Sequence, residues 1–332
     1  MRKINRWTAI VVGSALALAG CGGDGDDGTS PDIPLTAITA DNAAQVSAVV
    51  YQATSALFYI ASTSGTLPLG AVVQSAPGSS GGLGLVSFAA RQLKAVTARP
   101  LSASTGAVGT VYEETYACAG GGTWTERLND ADNNGAVSVG DGLRLTFVNC
   151  VEEGITSNGV LGFNFTLVSE ASTGAKVTFD NLVIIDGTDT MESDGSFDLT
   201  VTQNPGVSEL YEIAGDVLAS TLNGDRHTIT GFSGTAASDL VASTVTYTFS
   251  GRVSDSSNNV SVNAQTVNAF VAQMADDYPG SGSLRSTGAG NSQALLEALS
   301  STLVRISVDP EGDGVFTAPV EWSWSALDAL MD

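Results

Sequence analysis

Asp130, Asp132, Asn134 and Asp141 fall within one twelve-residue stretch, DADNNGAVSVGD, with Gly135 at its middle. Hard divalent cations take six to eight oxygen ligands. Carboxylate and amide oxygens at alternate positions, the Ala136 carbonyl, the Ser138 hydroxyl and the Asp141 carboxylate can turn five or six oxygens toward one point. The competing reading is a long hairpin turn, in which short Asp, Asn and Gly residues satisfy nearby backbone groups. A second acidic stretch, DPEGDG, repeats the spacing with Asp309, Glu311, Asp313 and Gly314. Val320 stands where its last ligand should fall, with Glu321 one place later.

Little else in the chain has chemical spacing. His227 is the only histidine, so neither a multi-histidine metal site nor a second triad candidate exists. It opens an apparent strand, GDRHTITG, and reads as an exposed strand residue. Glu113 and Glu114 are adjacent in a strand-like run and must point to opposite faces, so they cannot flank one glycosidic bond. Glu152 and Glu153 form a similar pair. Trp322 and Trp324, in VEWSWSAL, read as one face of a final strand, either packed or offered as a stacking platform. An enzyme is not expected.

The Asp130–Asp141 stretch resembles a dockerin-type calcium loop, in which a terminal Asp is acceptable where an EF-hand has Glu. The resemblance covers those twelve residues and implies bound calcium. Its flanks, TWTERL and LRLTFVNC, read as strands, whereas an EF-hand needs helices.

Three cysteines are present. Cys118 and Cys150 read as a disulfide, given an exported chain. If one strand lies between the strands that carry them, their Cα atoms stand about 9.6 Å apart, beyond the ~7 Å limit. Either Cys118 lies just past its strand, in AGGG, or the two strands are direct neighbours.

The third, Cys21, closes MRKINRWTAIVVGSALALAGC. Arg2, Lys3 and Arg6 form a basic head, and residues 7–20 are uncharged and mostly apolar. That run spans about 21 Å as helix, short of a ~30 Å hydrocarbon core, so residues 1–20 read as a signal peptide. Leu18-Ala19-Gly20-Cys21 resembles a bacterial lipobox, which implies cleavage before Cys21, its lipidation, and a membrane anchor without a spanning helix. Residues 21–34 are Gly/Asp-rich and read as a flexible tether. Gly22 instead of Asp after the cysteine resembles enterobacterial lipoproteins sorted to the outer membrane. Formal charge is −22 for the whole chain. A basic signal removed from it leaves the remainder more acidic, which argues against nucleic acid and anionic lipid surfaces as partners.

What must position these residues is mostly β. Residues 39–61 have helical apolar spacing, with Val46, Val49, Val50, Ala53 and Leu57 on one face and Thr39 or Asp41 to cap. Residues 83–97 can form a second helix, stopped by Pro100. From residue 109 the period changes to two. GLRLTFVNC, GFNFTLV, KVTFDNLVI and TVTYTFSGRV alternate, with Leu161, Phe163, Phe165 and Leu167 on one face and Val245, Tyr247 and Phe249 on another. Ser157-Asn158-Gly159, Ser193-Asp194-Gly195 and Leu222-Asn223-Gly224-Asp225 read as hairpin turns. The spacing leaves no room for crossover helices. It predicts a mainly β chain: an antiparallel meander of ten or so strands, forming a strongly curved sheet or half-open barrel with one or two N-terminal helices packed on it. A two-sheet β-sandwich is the alternative. Residues 35–332 then form one domain, with a helical part at 35–100 and a β part at 109–332.

The order of features, from the lipobox through TYAC, GTW, the acidic loop and FVNC to VRISVDPEGDGVFTAPVEWSWSAL, is similar to a group of proteobacterial lipoproteins. The resemblance implies export and architecture and no activity. Three functions follow as expectations: a lipid-anchored envelope protein of structural or interaction role with calcium-stabilised loops, a periplasmic carrier of lipid or another apolar ligand, and a hydrolase with an acid pair in a cleft.

Overall fold

The computed structural model describes residues 33–58, 89–90, 93, 110–152, 154–187, 189–222, 225–317 and 319–331. Cys21, the signal, the tether and Glu153 lie outside the described residues, as does most of the second predicted helix. Of that helix Ala89, Ala90 and Leu93 are described, and they are helical and buried.

Helix α1 spans Ala43–Phe58. It follows a turn in which Asn42 Oδ1 accepts from the Thr39 N–H at 2.8 Å and the Thr39 carbonyl accepts from the Ala43 N–H at 3.0 Å. Its apolar stripe of Val46, Val49, Val50 and Ala53 is buried. The β part begins with β1 (Thr110–Ala117), β2 (Thr123–Asp130), β3 (Gly142–Glu152), β4 (Ile155–Val168) and β5 (Ser172–Asp186). It continues with β6 (Asp189–Asn204), β7 (Ser208–Leu222), β8 (Asp225–Asp239), β9 (Thr244–Asp255) and β10 (Val260–Gln273). The last strands are β11 (Ser281–Thr287), β12 (Gln293–Ala298), β13 (Leu303–Asp309) and β14 (Val320–Ser323), followed by a short helix α2, Trp324–Asp328. All fourteen strands form one antiparallel meander in sequence order, and the sheet is not closed. The curved-sheet expectation therefore holds, with more strands than the alternation suggested. Helix α1 packs against β8–β13 and α2. Among the described residues, no helix is long and apolar enough to cross a membrane.

A line of register breaks runs across the sheet. It passes Phe147/Cys150 between β3 and β4, Asn158/Val160 between β4 and β5, and Phe179/Leu182 between β5 and β6. It continues at Ser196/Asp198 between β6 and β7 and at Thr230/Ser233 between β8 and β9. Each extra residue resets the side-chain alternation and bends the strand. Phe179 and Leu182 would face opposite sides of a regular strand, yet both are buried, because the bulge falls between them. Two of the predicted hairpin turns are parts of this line. Gly159 and Gly195 sit inside β4 and β6 at φ of 99° and 130°. A Cβ on Gly159 would lie 2.0 Å from the Asn181 carbonyl oxygen, so the neighbouring strand can cross only over glycine. The third predicted turn, at Leu222–Asp225, does join two strands, β7 and β8.

Leu161, Phe163 and Phe165 are buried as expected, but Leu167 is exposed, since the β4–β5 register shifts between Phe165 and Leu167. Tyr247 and Phe249 are buried and Val245 packs beside them. Trp324 does not share a strand face with Trp322. Ser323 Oγ accepts from the Ala326 N–H and starts α2, which buries Trp324 against Tyr51 and Tyr278. The indole Nε1–H donates to the Ser300 carbonyl at 3.0 Å. Both tryptophans belong to the core and its margin.

Candidate metal centre on the β2–β3 hairpin

The acidic stretch is the connection between β2 and β3, flanked by strands as its neighbours implied. Asp130 ends β2, and Asp141 immediately precedes β3. The loop is held at its base by β4, where the Phe165 N–H donates to the Asp141 carbonyl and the Gly140 N–H to the Phe165 carbonyl, both at 2.9 Å. Asn133 and Gly135 take positive φ of 58° and 72°, which coils the chain around its own carboxylates.

Carboxylate oxygens of Asp130, Asp132 and Asp141 lie within 4.8 Å of one another. Asp141 is fully buried, with Oδ1 accepting from Ala131 N–H at 2.8 Å and Oδ2 from Ser138 N–H at 2.6 Å. The Ser138 hydroxyl bridges Asp132 Oδ2 and Asp141 Oδ2 at 3.0 and 3.1 Å. Desolvation works against the Asp132 carboxylate, but the Asn134 N–H, the Ser138 hydroxyl, the neighbouring Asp130 carboxyl and the Asn134 side chain outweigh it and hold that carboxyl below the ordinary range. Asp130 is 8% exposed. Its Oδ2 accepts from the Gly135 N–H at 2.9 Å, while its Oδ1 is buried with no hydrogen-bond partner among the described residues. A buried carboxylate oxygen facing no donor is costly, the more so with two further carboxylates beside it. A cation bound there would remove that cost, and an all-oxygen donor set would suit a hard one.

The structure gathers part of the predicted ligand set. Asp130, Asp132, Asp141 and Ser138 converge. Asn134 turns its Oδ1 to the Ala136 N–H at 2.7 Å and its Nδ2 to Asp132, so it braces the loop.

The second acidic loop behaves differently. Asp309 is fully buried and accepts from the N–H groups of Gly312, Asp313 and Gly314 at 2.8, 3.3 and 2.8 Å. Burial pushes its carboxyl up, and those backbone donors outweigh it and hold it below the ordinary range. Asp313 accepts from the Val315 N–H. The carboxylates of Asp309, Glu311 and Asp313 do not converge as the first three do. Both oxygens of Asp309 are satisfied by the turn itself.

The Cys118–Cys150 disulfide is present, with Cα atoms 5.4 Å apart. Cys118 lies just past β1, the first of the two arrangements that the distance limit allowed. Strand β3 outruns β2 beyond the Thr123/Val148 pair, and the β1–β2 turn folds against that overhang through Gly120 N–H to Val151 carbonyl and Val151 N–H to Gly121 carbonyl. Glu152 caps the turn by accepting from the Ala119 N–H at 2.9 Å. Glu113 pairs with Arg127, while Glu114 accepts from the Tyr112 and Tyr116 hydroxyls, on opposite faces of β1 as expected.

His227 is half-buried rather than exposed. Its Nδ1 lies 3.2 Å from Oδ2 of the fully buried Asp255. Asp255 also accepts from Ser257 Oγ at 2.7 Å and the Asn258 N–H at 2.9 Å, tying the β9–β10 turn to β8. Burial pushes the Asp255 carboxyl up, and the His227, Asn258 and Ser257 donors outweigh it, holding it well below the carboxylate range. The D-x-x-N spacing of a side-chain-bonded turn was the one sequence signal for this site. No protein-family model, curated protein or solved structure matches the chain.

Proposed function

We propose that this chain is an exported, lipid-anchored envelope protein of structural or interaction role, and that its β2–β3 hairpin tip holds a calcium ion. The observation that carries the calcium reading is the partnerless, buried Asp130 Oδ1 beside the carboxylates of Asp132 and Asp141. Asp130, Asp132, Asp141 and Ser138 are the residues that would hold the ion. The ion would neutralise the cluster and stiffen a loop already fastened to β4. The net charge of −22 supports a cation-binding role. The lipobox resemblance at Cys21 supports the anchor and, with Gly22, an outer-membrane address.

Calorimetric titration tests the calcium reading. The protein should take up one equivalent of calcium at the hairpin, and Asp130→Ala with Asp132→Ala should abolish that uptake. Equal uptake by the double variant would refute it. The anchor is tested separately by Cys21→Ser, which should move the protein from the membrane fraction to the soluble fraction.

A further inference from the structure

The face of the sheet turned away from the core carries a second feature, distant in sequence from the acidic hairpin. One row of residues runs in register across six strands: Asp198, Ala214, Ser233, Ser250, Gln265 and Arg285, on β6 to β11 in order. At the inter-strand spacing the row is about 24 Å long. It begins with a carboxylate, ends with a guanidinium, and between them offers only small, hydroxyl or amide side chains. Beside it Thr200, Glu212, Thr235 and Thr248 form a parallel row.

These rows line two adjoining hollows of about 590 and 440 Å³, which share Ser250 and Gln265. The hollows have a structural cause. Gly231 and Phe232 face the single residue Gly251, and on the next ladder four residues of β10 face two of β9, between the Gln265/Ser250 and Phe270/Tyr247 pairs. Bulges on adjacent strands bend the sheet locally and open its outer face. At the far end stand two of the chain's few basic residues. Arg252 is anchored, donating to Ser261 Oγ and the Ile33 carbonyl. Arg285 is exposed and, among the described residues, has no hydrogen-bond or ion-pair partner. Among the described residues, the hollow containing both arginines has no carboxylate in its lining, in a chain of net charge −22.

We propose that this groove binds an acidic oligosaccharide, a hydroxyl-rich chain bearing a carboxylate, with Arg285 pairing the carboxylate. A guanidinium presents a planar fork that matches a carboxylate. Closely spaced Ser, Thr and Gln side chains exchange donors and acceptors with sugar hydroxyls, and Asp198 and Glu212 accept from hydroxyls at the other end. An extended peptide would seek a sheet edge and its backbone groups, which this face does not offer. An acyl chain would leave the charged side chains that line these hollows, Asp198, Glu212 and Arg285 among them, without partners.

The test is calorimetric titration of the full-length protein in detergent with an oligogalacturonate. A neutral gluco-oligosaccharide of the same length, monomeric galacturonate and inorganic phosphate serve as comparators. The oligogalacturonate should bind saturably and more tightly than all three. Arg285→Ala should weaken it about tenfold or more, as expected for a lost charged hydrogen-bond pair, with Arg285→Lys recovering part of the loss. Because Arg285 is exposed, its substitution should leave the melting temperature unchanged. Absence of saturable binding, equal binding of the neutral oligomer, or an affinity indifferent to Arg285→Ala would overturn the proposal. Phosphate or the monomer binding as tightly as the oligomer would also overturn it, by reducing the site to a surface arginine that pairs any anion.

Discussion

Replacing Asp130 by Asn separates a cation site from a turn by the sign of its effect. The Asp130 and Asp141 carboxylate oxygens lie within 4.8 Å, where like charges repel by about 3 kcal/mol at an effective dielectric constant of ~20 and by under ~1 kcal/mol in bulk water. Asp130→Asn removes that repulsion and weakens the charge-assisted bond from the Gly135 N–H by about 1 kcal/mol. In chelator the variant should therefore match the parent or exceed it by about 1–2 kcal/mol. Calcium at one hundred times its dissociation constant stabilises the parent by about 2.7 kcal/mol. The variant keeps an amide oxygen but has lost a charged ligand, so it should gain less and the order inverts once calcium is added. Urea denaturation in chelator and in calcium reads both states directly. A variant that is less stable than the parent by the same amount in both conditions would refute the reasoning, because Asp130 would then act only as an acceptor for Gly135.

Three further outcomes follow. Gly159→Ala places a Cβ on the Asn181 carbonyl at positive φ and should cost about 2–5 kcal/mol, against about 1–2 kcal/mol for Gly187→Ala, which has open space around it; equal costs in chemical denaturation would contradict the crossing at Gly159. Reducing Cys118–Cys150, whose loop spans 32 residues in sequence separation, should lower stability by about 3–4 kcal/mol; a denaturation midpoint unmoved by reductant would contradict that. Asp255 has a depressed carboxyl in the folded state, so its contribution is fully present above the unfolded value of about 4 and is lost as pH falls below it. The melting-temperature gap between the parent and Asp255→Asn should close as the buffer is taken from about pH 4 to more acidic values; a gap that widens over that range would contradict the assignment.

The fold class was legible because one face of most strands is buried, and a half-buried strand must alternate. Leu143, Leu145 and Phe147 on β3, and Phe163 and Phe165 on β4, carry that signal directly. It fails wherever a bulge resets the period. Ser193-Asp194-Gly195 has the composition of a hairpin turn, and only the partner strand decides that Gly195 instead lets β6 bend. Strands β11 and β12, SGSLRST and QALLEA, are short and lack a clean apolar alternation, so little in their own sequence marks them as strands. The final Trp324 left the strand because Ser323 could cap a helix, a choice that depends on the pocket offered by Tyr51 and Tyr278.

The candidate metal centre was partly legible. The spacing of Asp130, Asp132 and Asp141 marked the loop, since a short coil brings such residues together. That Asn134 would brace the loop, and that Asp309 would be satisfied entirely by backbone donors, depends on where each turn closes. The row ending at Arg285 was invisible in one dimension. Its six members come from six strands, and only the register joins them.

The central claim is that the β2–β3 hairpin holds one calcium ion. Native mass spectrometry of the protein, equilibrated with calcium, counts that ion directly. One calcium per chain in the parent and none in the Asp130→Ala, Asp132→Ala double variant is the expected result. A parent that carries no calcium, or a double variant that retains it, would contradict the account.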